Sequence, residues 1–314
     1  MSDKHYDALP KVHTTYANIV KSLLPIGDNP KVGKDELPSA TYYVDNLHMD
    51  QSNLDDYRKI CGFTNDGKVP ITYFAVLSQA LQMNMMVKEP FPFTMLGLVH
   101  IDNSVTQYRS IGERETVDMA VKFANLRDHT QGQQFDFITT VSSHDEVIWE
   151  GKSTYLARGK NPERSAGDKS KPRTKHGKLE VMDKGVHQVF EVPEDIGRRY
   201  AFVSGDFNLI HLHPLSARAF GFPKAIAHGM WSKAKCLALI GELPEACRVD
   251  VSFKLPIFLP SEVEMIAEPI APADDKHNAS EQFCANFGLY SAKNDRPHLI
   301  GHITHEAQNT DAAE

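Results

Sequence analysis

The stretch Tyr200–Met230, YAFVSGDFNLIHLHPLSARAFGFPKAIAHGM, decides how this chain is read. It gathers Asp206, Asn208, His211, His213 and His228 into one short span. Its frame is Ser204-Gly205-Asp206, in which the glycine can adopt backbone angles closed to other residues and so set the carboxylate in a tight turn. Asn208 can donate an amide hydrogen bond to that carboxylate, and His211 brings an imidazole whose ordinary pKa is about 6.5. A carboxylate and a neutral imidazole make an acid/base pair. Ala227-His228-Gly229-Met230 then opens an apolar helical run, and backbone N–H groups at a helix start can hold a developing oxyanion. A loop whose polar residues satisfy one another would account for a single Asp-His pair, but not for the whole string.

The order Tyr-Ala-x-x-Ser-Gly-Asp-x-Asn-x-Ile-His, then Gly221-Phe222-Pro223, then Ile226-Ala227-His228-Gly229-Met230, resembles the MaoC-like family, which includes the (R)-specific 2-enoyl-CoA hydratases. Leu209 departs from the family pattern, which usually has Pro after the Asn. The resemblance covers the second half of the chain well and the first half loosely, as in members with two hot-dog repeats in one chain. It implies an α+β double hot-dog fold: two antiparallel sheets, each wrapped around a buried helix, forming a pseudo-dimer. It also implies that Asp206 and His211 flank one water, that no metal or cofactor is needed, and that coenzyme A or acyl carrier protein carries the substrate.

Composition sets the outer limits. A chain of 314 residues with 41% hydrophobic content can fill one large or two medium cores. A formal net charge of -7 argues against a nucleic-acid binder, whose domain is normally basic. Cys61, Cys236, Cys247 and Cys284 lie far apart without a C-x-x-C pair, so neither a zinc site nor a disulfide framework is indicated. No apolar run is long enough to span a bilayer and the N-terminus has no apolar signal core, so a cytoplasmic protein without membrane contact is expected.

The first forty residues show no clear period. Ala40 to Val44 reads as a strand, and Ser52 can cap a short helix whose face carries Leu54, Tyr57, Ile60 and Cys61, stopped by Gly62. Ile71 to Met86, ITYFAVLSQALQMNMM, is apolar around its circumference and must be a buried helix, with Pro70 suited to its first turn. Four strands follow: Leu96 to Tyr108, Thr116 to Leu126, Gln134 to Ser143, and Val147 to Ala157. One buried helix followed by an antiparallel meander is the hot-dog pattern. Residues 158–178 are basic and rich in Pro, Gly and Ser, and read as a solvated linker, with contact to coenzyme A phosphates as the alternative. The second half repeats the order: a strand at Gly185 to Glu191, a short helix opened by Pro193, a buried helix from Gly229 to Ile240, then strands at Arg248 to Lys254, Glu262 to Pro269, Gln282 to Tyr290 and His298 to Thr304. The chain therefore divides into a degenerate repeat at 1–157, a linker at 158–178, a catalytic repeat at 179–305 and a small polar tail at 306–314.

The halves can be laid over each other without reference to any family. Tyr57-Arg-Lys-Ile-Cys-Gly-Phe63 falls on Tyr200-Ala-Phe-Val-Ser-Gly-Asp206, Tyr108-Arg109 on Phe253-Lys254, Gln134-Phe135 on Gln282-Phe283, and Gly151 on Gly301. Gly62 matches Gly205, but Phe63 stands where Asp206 would be, and the residues that would carry the Asn and His are missing. One half keeps the chemistry; the other can border an acyl pocket with Ala80 and Met83 of its helix.

The expected reaction is reversible hydration of trans-2-enoyl thioesters to (3R)-3-hydroxyacyl thioesters. Asp206 and His211 supply the acid/base steps, Asn208 orients Asp206, and the Gly229 N–H receives the enolate oxygen. Ser204 and His228 border the substrate, Ser204 with the alternative of a turn residue bonded to its own backbone. A metal bound by His211, His213 and His228 is the lesser reading, because His-x-His lies in a loop without a carboxylate or Cys partner set. Two other functions remain: a hot-dog acyl thioesterase and a non-catalytic acyl-thioester binding subunit. The partner is an acyl thioester, and the chain is a monomeric pseudo-dimer or a homodimer.

Overall fold

A computed structural model describes residues 3–10, 36–95, 97–159, 177–270 and 283–305. The basic linker lies almost entirely outside these residues, as does the tail from Glu306 and most of the first forty positions. Among the described residues, eleven strands form one sheet: β1 (Lys4–Tyr6), β2 (Thr41–Leu47), β3 (Leu98–Gln107), β4 (Val117–His129), β5 (Gly132–Ser143), β6 (Glu146–Arg158), β7 (Val186–Val192), β8 (Cys247–Phe253), β9 (Ser261–Ala267), β10 (Phe283–Ser291) and β11 (Pro297–His305). Their order is β1-β2-β4-β5-β6-β3-β8-β11-β10-β9-β7. Either side of the β3/β8 seam the order mirrors itself, with β2 answering β7, β4 answering β9, β5 answering β10 and β6 answering β11. The two expected sheets are thus joined edge to edge. At the seam, Asp102 to Gln107 pairs antiparallel with Cys247 to Ser252, so neither repeat leaves that edge unpaired. Strand β1, parallel to β2, adds an edge that the sequence reading did not contain.

Each repeat curls around a helix with little amphipathic character. In the first this is α2 (Tyr73–Lys88), after α1 (Gln51–Cys61). In the second, α3 (Ile196–Ser204), α4 (Leu209–Leu212) and α5 (Pro214–Ala219) precede the buried α6 (Gly229–Ile240). Tyr73, Phe74, Leu81 and Met85 of α2 and Ala234, Cys236 and Leu237 of α6 are fully buried. Each fully buried large apolar side chain stabilises by about 1.5–3 kcal/mol. Two indole N–H groups join elements around these helices: Trp149 Nε1 on β6 donates to Ile71 O in the turn before α2 at 2.8 Å, and Trp231 Nε1 on α6 donates to Ile60 O on α1 at 3.2 Å. Pro70 precedes α2 and accepts from Tyr73 N at 2.8 Å, so Ile71 and Thr72 belong to the turn rather than the helix.

The repeat correspondence is visible in the backbone. Gly62 ends α1 at φ 93° and Gly205 ends α3 at φ 74°, both in the left-handed region that favours glycine. Tyr57 and Tyr200, which the sequence superposes, meet across the repeats with ring centroids 6.3 Å apart. One cap differs from expectation: Asp50, not Ser52, starts α1, its carboxylate accepting from Ser52 N at 2.9 Å and Asn53 N at 3.2 Å. A carboxylate at that position also favours the positive end of the helix dipole.

Candidate active site

Between the repeats lies a cavity of about 610 Å³, within the range of small-molecule sites. The segment from Asp206 to Met230 forms one wall. After Gly205 the chain runs through Asp206 and two short helices before α6 begins at 229, whereas the first repeat goes from Gly62 to α2 at 73. That extra length in the second repeat carries the polar residues.

Ser204 Oγ donates to Tyr200 O at 2.8 Å and accepts from Asp206 N at 3.2 Å. Ser204 is therefore the turn residue bonded to local backbone, and it is not among the residues lining the cavity. Asp206 Oδ1 accepts from Asn208 N at 3.1 Å. This corrects the expected contact: the bond comes from the Asn208 backbone, while its side-chain oxygen caps α4 by accepting from Ile210 N at 3.4 Å. Leu209 occupies the first position of α4, where a helix N–H has no intrahelical partner. Proline is tolerated there for that reason, and leucine leaves the cap in place.

His211 Nδ1 lies 2.8 Å from Ile226 O. A carbonyl can only accept, so Nδ1 carries the proton and Nε2 of the neutral ring is a lone pair. By the same logic His228 Nε2 donates to Asp206 O at 3.0 Å and leaves Nδ1 as its acceptor. The two rings stack at 3.6 Å between centroids, and His228 also packs on Tyr200 at 5.0 Å. Ligand-capable atoms of Asp206, His211 and His228 lie within 4.8 Å of one another. The expected lesser reading of a metal held with His213 does not assemble: His213 is exposed and its Nδ1 accepts from Leu215 N at 3.1 Å, capping α5.

Burial decides the charge state of these rings. Desolvation lowers the pKa of His211, with the Asp206 charge and the Ile226 bond opposing it. His228 is pushed down to about 3, by burial first and the neighbouring His211 second. Both are neutral at pH 7. The sign of the pH dependence follows: below the unfolded value of about 6.5 the unfolded chain binds more protons than the folded one, so stability falls as pH falls toward the folded values. Tm should therefore drop between pH 6.5 and 4, and His228→Phe should flatten that drop; an unchanged slope would mean that His228 is already charged in the native protein.

The opposite wall comes from the first repeat. Gln79, Gln82, Met83 and Met86 line the cavity at the i, i+3, i+4, i+7 spacing of one helix face. Met83 therefore lies where expected. Ala80 does not: it stands off that stripe, buried but away from the lining. His100 and Tyr155 also line the cavity and were not singled out from sequence. They face each other across β3 and β6, stacked at 4.7 Å. Such a cross-strand pair is legible only once the register is known. Burial, then the Lys233 charge, lowers the pKa of His100 to about 4. Gly229 opens α6 at the cavity, and a Cβ built there would meet the Phe253 ring at 3.0 Å.

Fold and turn together place a carboxylate and two buried neutral imidazoles at a cavity between two hot-dog repeats. Residues 168–280 match the MaoC like domain family. The chain is 36% identical to 3-hydroxyacyl-thioester dehydratase X of Mycobacterium tuberculosis over 72% of its own length and 79% of that protein. It is 37% identical to the (R)-specific enoyl-CoA hydratase of Aeromonas caviae over 24% of its length and 61% of that protein. The crystal structure of HtdX from Mycobacterium tuberculosis superposes with a TM-score of 0.68 at 30% identity, covering 84% of this chain and 98% of that one. More distant solved structures, at 10% and 17% identity, share the double hot-dog fold alone. The chain belongs to the MaoC-like hydratase/dehydratase family.

Proposed function

We propose that the chain is a hydro-lyase that reversibly adds water to trans-2-enoyl thioesters, giving (3R)-3-hydroxyacyl thioesters. The observation that carries this reading is the convergence of Asp206, His211 and His228 on one cavity that also receives the start of α6. The named relatives, a dehydratase and a hydratase, support it. Asp206 and the His211 Nε2 lone pair flank the water. As its oxygen bonds to the β-carbon, the pair takes one proton, and electron density moves through the double bond to the thioester oxygen. The Gly229 N–H, at the positive end of α6, receives that oxygen. The pair then returns a proton to the α-carbon, so water is added across the bond and the site ends in its starting state. His228 holds the turn through the Asp206 carbonyl and stacks behind His211. No cofactor enters these steps.

Arg158 and Lys254 bring positive charge to the lining, which suits the phosphate of a coenzyme A or acyl carrier protein substrate. Because one chain supplies both repeats, a single chain carries a complete site. No helix among the described residues is long and apolar enough to cross a membrane.

Absorbance of a crotonyl-CoA double bond tests the reaction type. Loss of the absorbance with the thiol still esterified is the expected result; free thiol would mean hydrolysis, and no change would mean binding only. Chain length is set by the α2 face, so Met86→Trp should lower activity on long acyl chains more than on the four-carbon one. Equal losses at every length would indicate a packing defect, since overpacking costs about 1–3 kcal/mol whatever the substrate.

Gly229→Ala keeps the backbone N–H but sets a methyl group beside it that presses the thioester oxygen away, so kcat should fall toward the loss of about 10²–10³ typical of a lost oxyanion contact, with little change in KM. Because the new methyl group presses on Phe253, Tm should fall as well. Adding Phe253→Leu relieves that pressure and should restore Tm but not kcat. Recovery of both would remove Gly229 from the oxyanion role.

A further inference from the structure

Lys233 is a fully buried lysine that the reaction steps above do not use. It lies one helical turn beyond Gly229 on α6 and does not line the cavity. Its Nζ reaches three oxygens: Asn103 Oδ1 at 2.7 Å, Val249 O at 2.9 Å and Asn103 O at 3.3 Å. An ammonium has three N–H donors and no acceptor, so these oxygens match the charged form one for one. A neutral amine would turn its lone pair toward one of them. Burial pushes the Lys233 pKa down to about 7, and the nearby Asp250 and Cys247 oppose that shift.

The identity of the oxygens is informative. Asn103 is on β3, the edge strand of the first repeat, and Val249 is on β8, the edge strand of the second. Asn103 is itself fixed, its Nδ2 donating to Ser153 Oγ at 3.2 Å on β6. The helix that begins at Gly229 is therefore tied to both strands of the seam at one point. An apolar side chain of similar length could fill the same volume, but it would not fix the helix along its axis, because packing contacts lack the direction of hydrogen bonds.

We propose that Lys233 is a positioning residue for the reaction: it locks the start of α6 to the first repeat, so that the repeat without acid/base groups sets the place of the Gly229 N–H. This rests on the oxyanion role given to Gly229 above. It also gives the β3/β8 seam a part in chemistry beyond holding two sheets together.

The test uses the full chain with Lys233→Met, which keeps length and volume and removes the three donors, and with Asn103→Ala, which removes the Oδ1 acceptor from the other side. Turnover, KM and Tm are measured, together with the absorbance of a bound conjugated acyl-CoA that is not turned over, whose red shift reports polarisation of the thioester carbonyl. In the unaltered protein the red shift is expected. In Lys233→Met, kcat should fall at least tenfold with KM within about threefold, and the red shift should shrink in a protein that still melts cooperatively. Asn103→Ala should move kcat and red shift the same way by a smaller factor. A Lys233→Met protein with full red shift and normal kcat overturns the proposal, whatever its Tm. If Lys233→Met does not fold, Asn103→Ala decides: an unchanged red shift there sinks it. Absence of any red shift in the unaltered enzyme during normal turnover contradicts the Gly229 role instead, which keeps the two failures apart.

Discussion

Asp206→Asn is expected to lower kcat by about 10²–10⁴, the range for loss of one general acid/base group, while the protein keeps its Tm. Asparagine preserves the shape of the turn: its side-chain oxygen can still accept from Asn208 N, and the backbone carbonyl that receives His228 Nε2 is untouched. What is removed is the charge and the ability to exchange a proton beside the water. KM should change little, since the carboxylate acts mainly on the reacting centre. A variant with near-normal turnover would move the proton-transfer role away from Asp206. A large Tm loss would mean that the carboxylate is a structural ion whose partner matters more than its chemistry.

His211→Ala should cost a similar factor in kcat, but with a different structural signature. From sequence alone the pair looks like part of a polar turn outside the core, which would leave stability unaffected. The structure places the ring in the interior, with 8% exposure, stacked on His228 and bonded to Ile226 O. Removing it leaves a buried carbonyl without a donor, which costs about 1–3 kcal/mol, so Tm should fall together with turnover. His211→Gln separates the two effects. A glutamine amide can donate to Ile226 O and recover part of the stability, yet it cannot take a proton at neutral pH, so activity should remain lost. Recovery of activity in His211→Gln would show that the ring acts only through its hydrogen bond.

Much of this architecture is legible in the sequence because its signals are local. The buried helices declare themselves as apolar runs, and Gly62 and Gly205 mark equivalent helix ends because only glycine takes the left-handed cap easily. That Asp206 and His211 come together at the cavity is legible for the same reason, since they lie within a few positions of one another. Non-local features are hidden. Nothing in the alternation of β3 or β8 announces that they pair with each other, since each reads simply as a strand with another repeat's worth of chain between them. His100 and Tyr155 become neighbours only through the β3–β6 register. Lys233 looks like a surface charge on an apolar helix until the seam supplies its three oxygens. Whether Asn208 meets Asp206 through its backbone or its side chain is hidden too, because an Asx turn and an amide contact have the same sequence. Ala80 and Met83 differ by one helical turn, which sequence periodicity does not orient toward a cavity.

Addition of water to an enoyl thioester at this turn can be followed through the fate of the oxygen. Crotonyl-CoA is incubated with the enzyme in ¹⁸O-labelled water, and the product is analysed by mass and chirality. The predicted product is a 3-hydroxybutyryl thioester of (3R) configuration with the label at the β-carbon hydroxyl, lost in Asp206→Asn. Label found instead in a free carboxylate, with release of the thiol, would contradict it.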